Sequence, residues 1–165
     1  MVKSLKITEC KEMYDFLVFL LAKYFQDIPI NKISEELNIY NITGICECIS
    51  DENDACHGVC CGTFYVNSAS EEQGIFITDD YYLFSSNLGI FIFHTDSKGH
   101  LKECEFFYEK DYFPKFYLDI VKFFKNESEY DSYLKFIKVN SIKLCSLTEL
   151  KNSFKQEKMN IIEIE

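Results

Sequence analysis

The chain has 165 residues, of which 47% are hydrophobic and 27% are charged, and its formal net charge is −10. This length fits one domain with its own core, and the composition excludes disordered, collagen-like and coiled-coil proteins. The negative charge also disfavours nucleic acid and anionic membranes as partners. We therefore predict a single domain over residues 1–165.

Two helices are predicted at the start of the chain. Thr8 is the expected N-cap of a helix over residues 9–25, whose apolar stripe follows the helical period. The stripe consists of Met13, Leu17, Leu20, Leu21 and Tyr24. After Pro29, Asn31 is the expected cap of a short helix that ends at Leu37 and buries Ile33 and Leu37.

From residue 43 the pattern alternates with the period of a β-strand. It predicts strands over residues 43–49, 59–66, 75–78, 81–85, 88–95 and 101–108. The strand 88–95 is apolar on both faces, which is typical of a central strand that is covered on both sides. The tight turn after it ends at Gly99, which is expected at positive φ.

The last third of the chain is predicted to return to helix. An apolar stripe from Phe113 to Phe124 predicts a helix with Pro114 in its first turn, and Ser128 is expected to open another helix. A short strand over 142–145, a capping box from Ser146 to a helix ending near 158, and an edge strand over 160–164 follow. The predicted fold class is α+β: an antiparallel β-meander of about five to six strands flanked by N-terminal and C-terminal helices.

The compartment is predicted from the N-terminal residues. The first residues contain no apolar segment of the kind that directs secretion, which favours a cytoplasmic protein. The eight cysteines are then expected to be free thiols in a reducing environment.

The charges are unevenly distributed along the chain. Residues 33–97 contain eleven acidic residues and no lysine. Most of these acids fall in two predicted loop regions, which comprise Glu47, Asp51, Glu52 and Asp54, and then Glu71, Glu72, Asp79 and Asp80. If the loops meet at one end of the sheet, they form a negative surface that attracts a basic protein, with Tyr65, Tyr81 and Tyr82 as candidate anchors. The alternative is a solvated face that only keeps the protein soluble.

The cysteine cluster allows a second hypothesis. Cys46, Cys48, Cys56, His57 and Cys60 are residue types that bind zinc, which would make the protein a zinc-stabilised interaction module. Their spacing does not match the paired C-x2-C pattern, so we expect no metal or other cofactor.

A third hypothesis is a papain-like or transglutaminase-like hydrolase. Cys60 or Cys61 as nucleophile, followed by His94 and Asp96, has the Cys, His, Asp order of such enzymes. In those folds the nucleophile begins a helix, whereas residues 62–66 have the pattern of a strand, so we expect no catalytic residues.

The acidic, lysine-free segment 33–97 and the overall composition resemble those of small immunity proteins that neutralise bacterial toxins, including those of contact-dependent inhibition systems. The resemblance implies a non-enzymatic cytoplasmic inhibitor that binds a basic toxin domain, for example a nuclease. No family motif carries it, and a phage-encoded inhibitor or a nucleic-acid mimic has the same profile.

Overall fold

The computed structural model describes residues 3–46, 60–76, 81–109, 111–155 and 162–163. Its α-helices are α1 (Lys11–Tyr24), α2 (Ile30–Leu37), α3 (Tyr117–Phe124), α4 (Glu127–Val139) and α5 (Leu147–Ser153). Its strands are β1 (Leu5–Lys6), β2 (Tyr40–Ile45), β3 (Cys60–Cys61), β4 (Phe64–Ser68), β5 (Tyr81–Ser86), β6 (Gly89–Thr95), β7 (Leu101–Tyr108), β8 (Tyr112–Pro114), β9 (Lys143–Cys145) and β10 (Ile162–Glu163). None of the helices in these ranges is long and apolar enough to cross a membrane.

The main sheet is antiparallel, with the strand order β1-β2-β4-β7-β6-β5-β10. The consecutive strands β5, β6 and β7 are neighbours and form the predicted meander. Strand β3 also pairs with β7, beyond the end of β4. A separate pair, β8 and β9, runs parallel. The α+β class is therefore confirmed.

Helix α1 buries the stripe that the sequence predicts. Met13, Leu17, Leu20 and Leu21 are buried, and Phe16 joins them at 0% exposure. Thr8 does not cap this helix, because Ile7–Glu9 form a 3₁₀ turn and Cys10 takes the N-cap position. The cap of α2 is likewise Pro29 and not Asn31, although Ile33 and Leu37 are buried as expected.

Aromatic rings fill the space between α1 and the centre of the sheet. The Phe16 ring lies 5.3 Å from Phe91 on β6 and 6.0 Å from Phe106 on β7, both edge-on. Phe154, just after α5, lies 5.6 Å from Phe91. Such pairs contribute about 0.5–1.5 kcal/mol each beyond the area they bury.

Among the described residues, the central strands are more deeply buried on one face of the sheet than on the other. Along β6, Phe91 and Phe93 are fully buried, whereas Ile90 is 44% exposed. The prediction of a strand buried on both faces is therefore wrong, because alternate residues of β6 project to a second, partly exposed face. We call this second face the open face; its members on β4, β6 and β7 are Tyr65, Asn67, Ile90, Ile92, His94, Glu103, Glu105 and Phe107.

Two of the predicted strands, 59–66 and 75–78, differ from what the structure shows. The segment 59–66 is divided into β3 and β4 at Gly62, whose missing side chain leaves room for Tyr108: a Cβ there would lie 2.6 Å from the ring. Residues 75–76 are not a strand, and Phe76 N donates a single hydrogen bond to Gly99 O in the β6–β7 turn. Residues 77–78 lie outside the described ranges.

The C-terminal third departs from prediction mainly at its start. Phe113 and Pro114 belong to β8, where Phe113 is paired with Leu144 of β9, so the helix α3 begins later than expected. Asn126, and not Ser128, caps α4.

Three other C-terminal features agree with prediction. The capping box of Ser146 and Glu149 opens α5, and β9 is present. Strand β10 pairs with β5 at the sheet edge. Helix α5 ends at Ser153, earlier than expected.

The turn between β6 and β7 is confirmed. Gly99 has a φ of 81°, a conformation that glycine adopts without strain. Asp96 Oδ1 accepts hydrogen bonds from Lys98 N at 2.9 Å and from His100 N at 3.0 Å. This carboxylate therefore fixes the turn that sets the register of β6 against β7.

Two buried tyrosines provide a matched test of the core. Tyr40 Oη accepts a hydrogen bond from Leu101 N at 2.9 Å, whereas Tyr108 Oη has no hydrogen-bond partner among the described residues. We expect Tyr40→Phe to lower the free energy of unfolding by about 1–3 kcal/mol and Tyr108→Phe to leave it about unchanged or higher. Urea unfolding of both variants measures this. Equal destabilisation by the two substitutions would show that the hydrogen bond of Tyr40 Oη does not stabilise the fold.

Candidate functional site

Three titratable side chains converge on the open face. His94 lies on β6, and Glu103 and Glu105 lie two residues apart on the adjacent strand β7. His94 Nε2 is in hydrogen-bond contact with Glu105 Oε1 and lies 3.9 Å from Glu103 Oε2. Each of the three side chains is between a quarter and a third exposed. We call this group the His–Glu–Glu cluster.

The strand register holds the cluster together. His94 is directly opposite Glu103, and Ile92 is opposite Glu105, so the imidazole can reach both carboxyl groups from one backbone position. A register shift follows between His94 and Thr95, next to the turn. The cluster thus lies at the end of the hairpin that Asp96 fixes.

The two carboxyl groups of the cluster perturb each other. The pKa of Glu103 is raised to about 7, first by burial and then by the hydrogen bond to Glu105 and its charge, while Lys102 acts in the opposite direction. A carboxyl group of this kind exchanges a proton near neutral pH or holds a cation between itself and its neighbour. The sequence indicates His94 but not the two glutamates, because the register shift that brings Glu103 opposite His94 leaves no mark in the sequence pattern.

Tyr65 extends the site onto β4. Its backbone is paired with that of Glu103, and its side chain is 38% exposed. Ile90, 44% exposed on β6, adds an apolar group to the same face. The open face therefore presents an exposed tyrosine, a residue type enriched at protein interfaces, next to a carboxyl group.

The predicted acidic surface is described only in part. Glu71 and Glu72 are exposed in the irregular segment after β4. The other acids of the two loop regions lie outside the described residues: Glu47, Asp51, Glu52, Asp54, Asp79 and Asp80.

The tyrosine anchors differ in their positions. Tyr65 is exposed, as an anchor requires. Tyr82 is not available, because its ring is fully buried at 4.6 Å from Tyr24 and 5.1 Å from Phe25. Tyr81 begins β5, and its side chain lies outside the described part of the structure.

The sheet register separates Cys61 from His94, so the described residues do not assemble the Cys, His, Asp arrangement with Cys61 as nucleophile. Cys61 is opposite Phe107, and His94 is opposite Glu103 on the other edge of β7, so the two are offset by four residues, about 13 Å, along that strand. Cys61 is buried, and its thiol donates to Thr63 Oγ1 at 3.3 Å. The carboxylate of Asp96 accepts backbone hydrogen bonds within the β6–β7 turn. For Cys60, the structure describes the backbone alone.

The cysteine cluster is mostly outside the described residues, which include neither Cys48, Cys56 nor His57. Cys46 is half-buried at the end of β2. The five cysteines whose side chains are described form no disulfide with one another: Cys10, Cys46, Cys61, Cys104 and Cys145.

A second histidine is buried between two carboxyl groups. His100, 3% exposed, lies 3.9 Å from both Glu36 Oε1 and Asp96 Oδ2. The pKa of Glu36 is raised by burial, against the charge of His100 and hydrogen bonds from the Ile75 backbone and Tyr40. These groups join α2 to the β6–β7 turn, and His100 and Glu36 are too enclosed to meet a macromolecular partner.

No known family, curated protein or solved structure matches this chain. Its function is therefore inferred from its own residues.

The thiols provide a test against the hydrolase hypothesis. Burial raises the pKa of Cys104, and it raises that of Cys145 to about 11. We expect slow alkylation of these cysteines, and of Cys60 and Cys61, by iodoacetamide at neutral pH, because the thiolate is the reactive form. Peptide mass spectrometry follows each site. Rapid labelling of Cys60 or Cys61 that is lost in His94→Gln would restore the hydrolase hypothesis.

Glu36 gives a prediction for the pH dependence of stability. A raised pKa in the folded state means that protonated Glu36 favours folding, so its contribution is present at acidic pH and is lost as the pH rises through the folded pKa. We expect the free energy of unfolding of the parent, minus that of Glu36→Gln, to fall as the pH rises through and above the usual titration range of a glutamate. Urea titrations across this range measure the difference.

The control is Glu35→Gln, which removes an exposed carboxylate from the same helix. Its difference from the parent is expected to change less over the same range. A parent-minus-Glu36→Gln difference that rises with pH would contradict the prediction.

Proposed function

We propose that this protein is a non-enzymatic inhibitor that binds a basic protein partner, and that the partner is a toxin which it neutralises as an immunity protein. The observation that carries the proposal is the open face, where exposed Tyr65 lies beside Glu103 and Glu105. The lysine-free segment 33–97 supports it with further negative charge.

Electrostatics favours a basic partner for two reasons. The net charge of −10 attracts a positive surface at long range and raises the rate of encounter. Within the described residues, neither Glu103 nor Glu105 forms an ion pair with a lysine, so both carboxyl groups can accept a cation from a partner. Charged pairs that become buried at an interface have coupling energies of about 1.5–7 kcal/mol.

Specificity requires more than charge. Tyrosine is enriched among the residues that dominate binding energy, and such residues work best when neighbours exclude water around them. Tyr65 has this position on β4, with strand β7 beside it. A rigid sheet also presents the anchor with little loss of conformational entropy on binding.

The proposed site of action is the cytoplasm, where an immunity protein would meet a toxin that has entered the cell. The eight cysteines are compatible with a reducing compartment. Neither a cofactor nor a catalytic residue is part of the proposal, since inhibition requires only that the partner's working surface be covered.

The charge contribution is tested with Asp51→Asn/Glu52→Gln/Asp54→Asn and with Glu71→Gln/Glu72→Gln/Asp79→Asn/Asp80→Asn. We expect both variants to associate more slowly with a partner captured from the source cell, and with a weaker dependence on salt between about 50 and 500 mM. Stopped-flow or biosensor kinetics measure the association rate. A third variant, Tyr65→Ala, is expected to increase the dissociation rate tenfold or more, about the effect of losing 1.4 kcal/mol.

The matched control is Asp27→Asn/Glu127→Gln/Asp131→Asn. It removes three exposed carboxylates that lie outside the lysine-free segment, so the net charge changes as in the first variant. Equal association rates for the parent and both acidic-segment variants at every salt concentration would show that the segment is only a solubility face. An unchanged dissociation rate for Tyr65→Ala would show that Tyr65, and with it the open face, is not part of the interface.

A further inference from the structure

We propose that the His–Glu–Glu cluster, His94 with Glu103 and Glu105, is a binding site for one divalent transition-metal ion, and that zinc is its preferred occupant. The proposal does not rest on the proposed function, although it uses two of the same carboxyl groups.

The geometry of the donor atoms is close to that of a metal site. One ligand atom from each of the three residues lies within 4.8 Å of the other two. An ion at the centre of such a triangle is less than ~3 Å from each atom, whereas zinc takes nitrogen and oxygen ligands at ~2.0–2.2 Å. Side-chain adjustments of under ~1 Å therefore complete three bonds.

The backbone positions of the ligands are fixed before any ion binds. β6 and β7 are paired along their full described length, from Gly89 opposite Tyr108 to Thr95 opposite Leu101. The opposite faces of these strands are anchored in the aromatic core by Phe91, Phe93 and Phe106. Ligands on such elements are held more precisely than ligands on loops.

The charge of the cluster also favours a cation. Glu103 and Glu105 share a hydrogen bond, and in the described part of the chain neither has a lysine within ion-pair distance. Adjacent carboxyl groups repel each other once both are ionised, and an ion of charge +2 compensates both. The imidazole adds a neutral ligand and no further charge.

The donor set determines the class of metal. Calcium and magnesium prefer all-oxygen sites, whereas an imidazole with two carboxylates suits zinc and its neighbours. All three side chains are partly exposed, so a water molecule can occupy a fourth position. Such an arrangement of three protein ligands and one open position is found in zinc sites that bind a further ligand.

The test is titration of metal-free protein with zinc chloride by isothermal calorimetry, on the parent and on His94→Gln and Glu105→Gln. We expect one zinc ion per chain in the parent and an affinity about tenfold or more lower in each variant. Two controls are expected to retain the affinity of the parent: Cys56→Ser/Cys60→Ser, which breaks the cysteine cluster, and Glu71→Gln/Glu72→Gln, which removes exposed carboxylates elsewhere.

A second measurement does not depend on any variant folding. In the NMR spectrum of the parent, zinc is expected to shift the ring signals of His94 and to leave those of His100 unchanged, since His100 is buried away from the cluster. No zinc binding by the parent, or zinc binding that is lost only in Cys56→Ser/Cys60→Ser, would overturn the proposal. Neither result bears on the partner-binding proposal, which is tested by association kinetics.

Discussion

The packing of Phe16 against the centre of the sheet is the contact on which the rest of the structure depends. Its ring touches Phe91 and Phe106, which lie on neighbouring strands, and it also lies 6.4 Å from Phe154 after α5. One side chain of α1 thus joins β6, β7 and the C-terminal helical region. Because aromatic side chains bury about 150–250 Å² each, this cluster requires a full layer of helix over one face of the sheet.

The same contact positions the polar side chains of the opposite face. Along β7, Phe106 projects into the core, and its neighbour Glu105 therefore projects outward. A slip of one residue in the β6–β7 register would bring Glu105 into the aromatic cluster. The free-energy cost of burying that carboxyl group among apolar rings disfavours the slipped register strongly. The register that the core selects is the one that puts His94 opposite Glu103. The geometry of the open face is therefore a consequence of how the buried face of the sheet packs against the helices.

The sequence predicted the features that depend on local pattern. The stripe of α1, the turn at Gly99 and strands β5, β6 and β7 all follow from periodicity within a few residues. The spacing of Phe113 and Pro114 fits a helix. They form a strand because they pair in parallel with β9, which lies about thirty residues further along the chain. The His–Glu–Glu cluster depends on pairing across one predicted hairpin, but periodicity does not reveal the register shift between His94 and Thr95. Counting outward from Thr95 opposite Leu101 pairs His94 with Lys102 and not with Glu103.

The two proposals concern the same carboxyl groups, and this has a thermodynamic consequence. A zinc ion on Glu103 and Glu105 neutralises the charge that a basic partner would use, and a lysine of the partner placed between them would occupy the position of the ion. Two ligands that compete for one pair of charges lower each other's affinity by the same factor. Tyr65 is not a member of the cluster, and so its contribution to a partner would persist when zinc is bound. On this reasoning, the ion would reduce the electrostatic part of partner binding and leave the aromatic part in place.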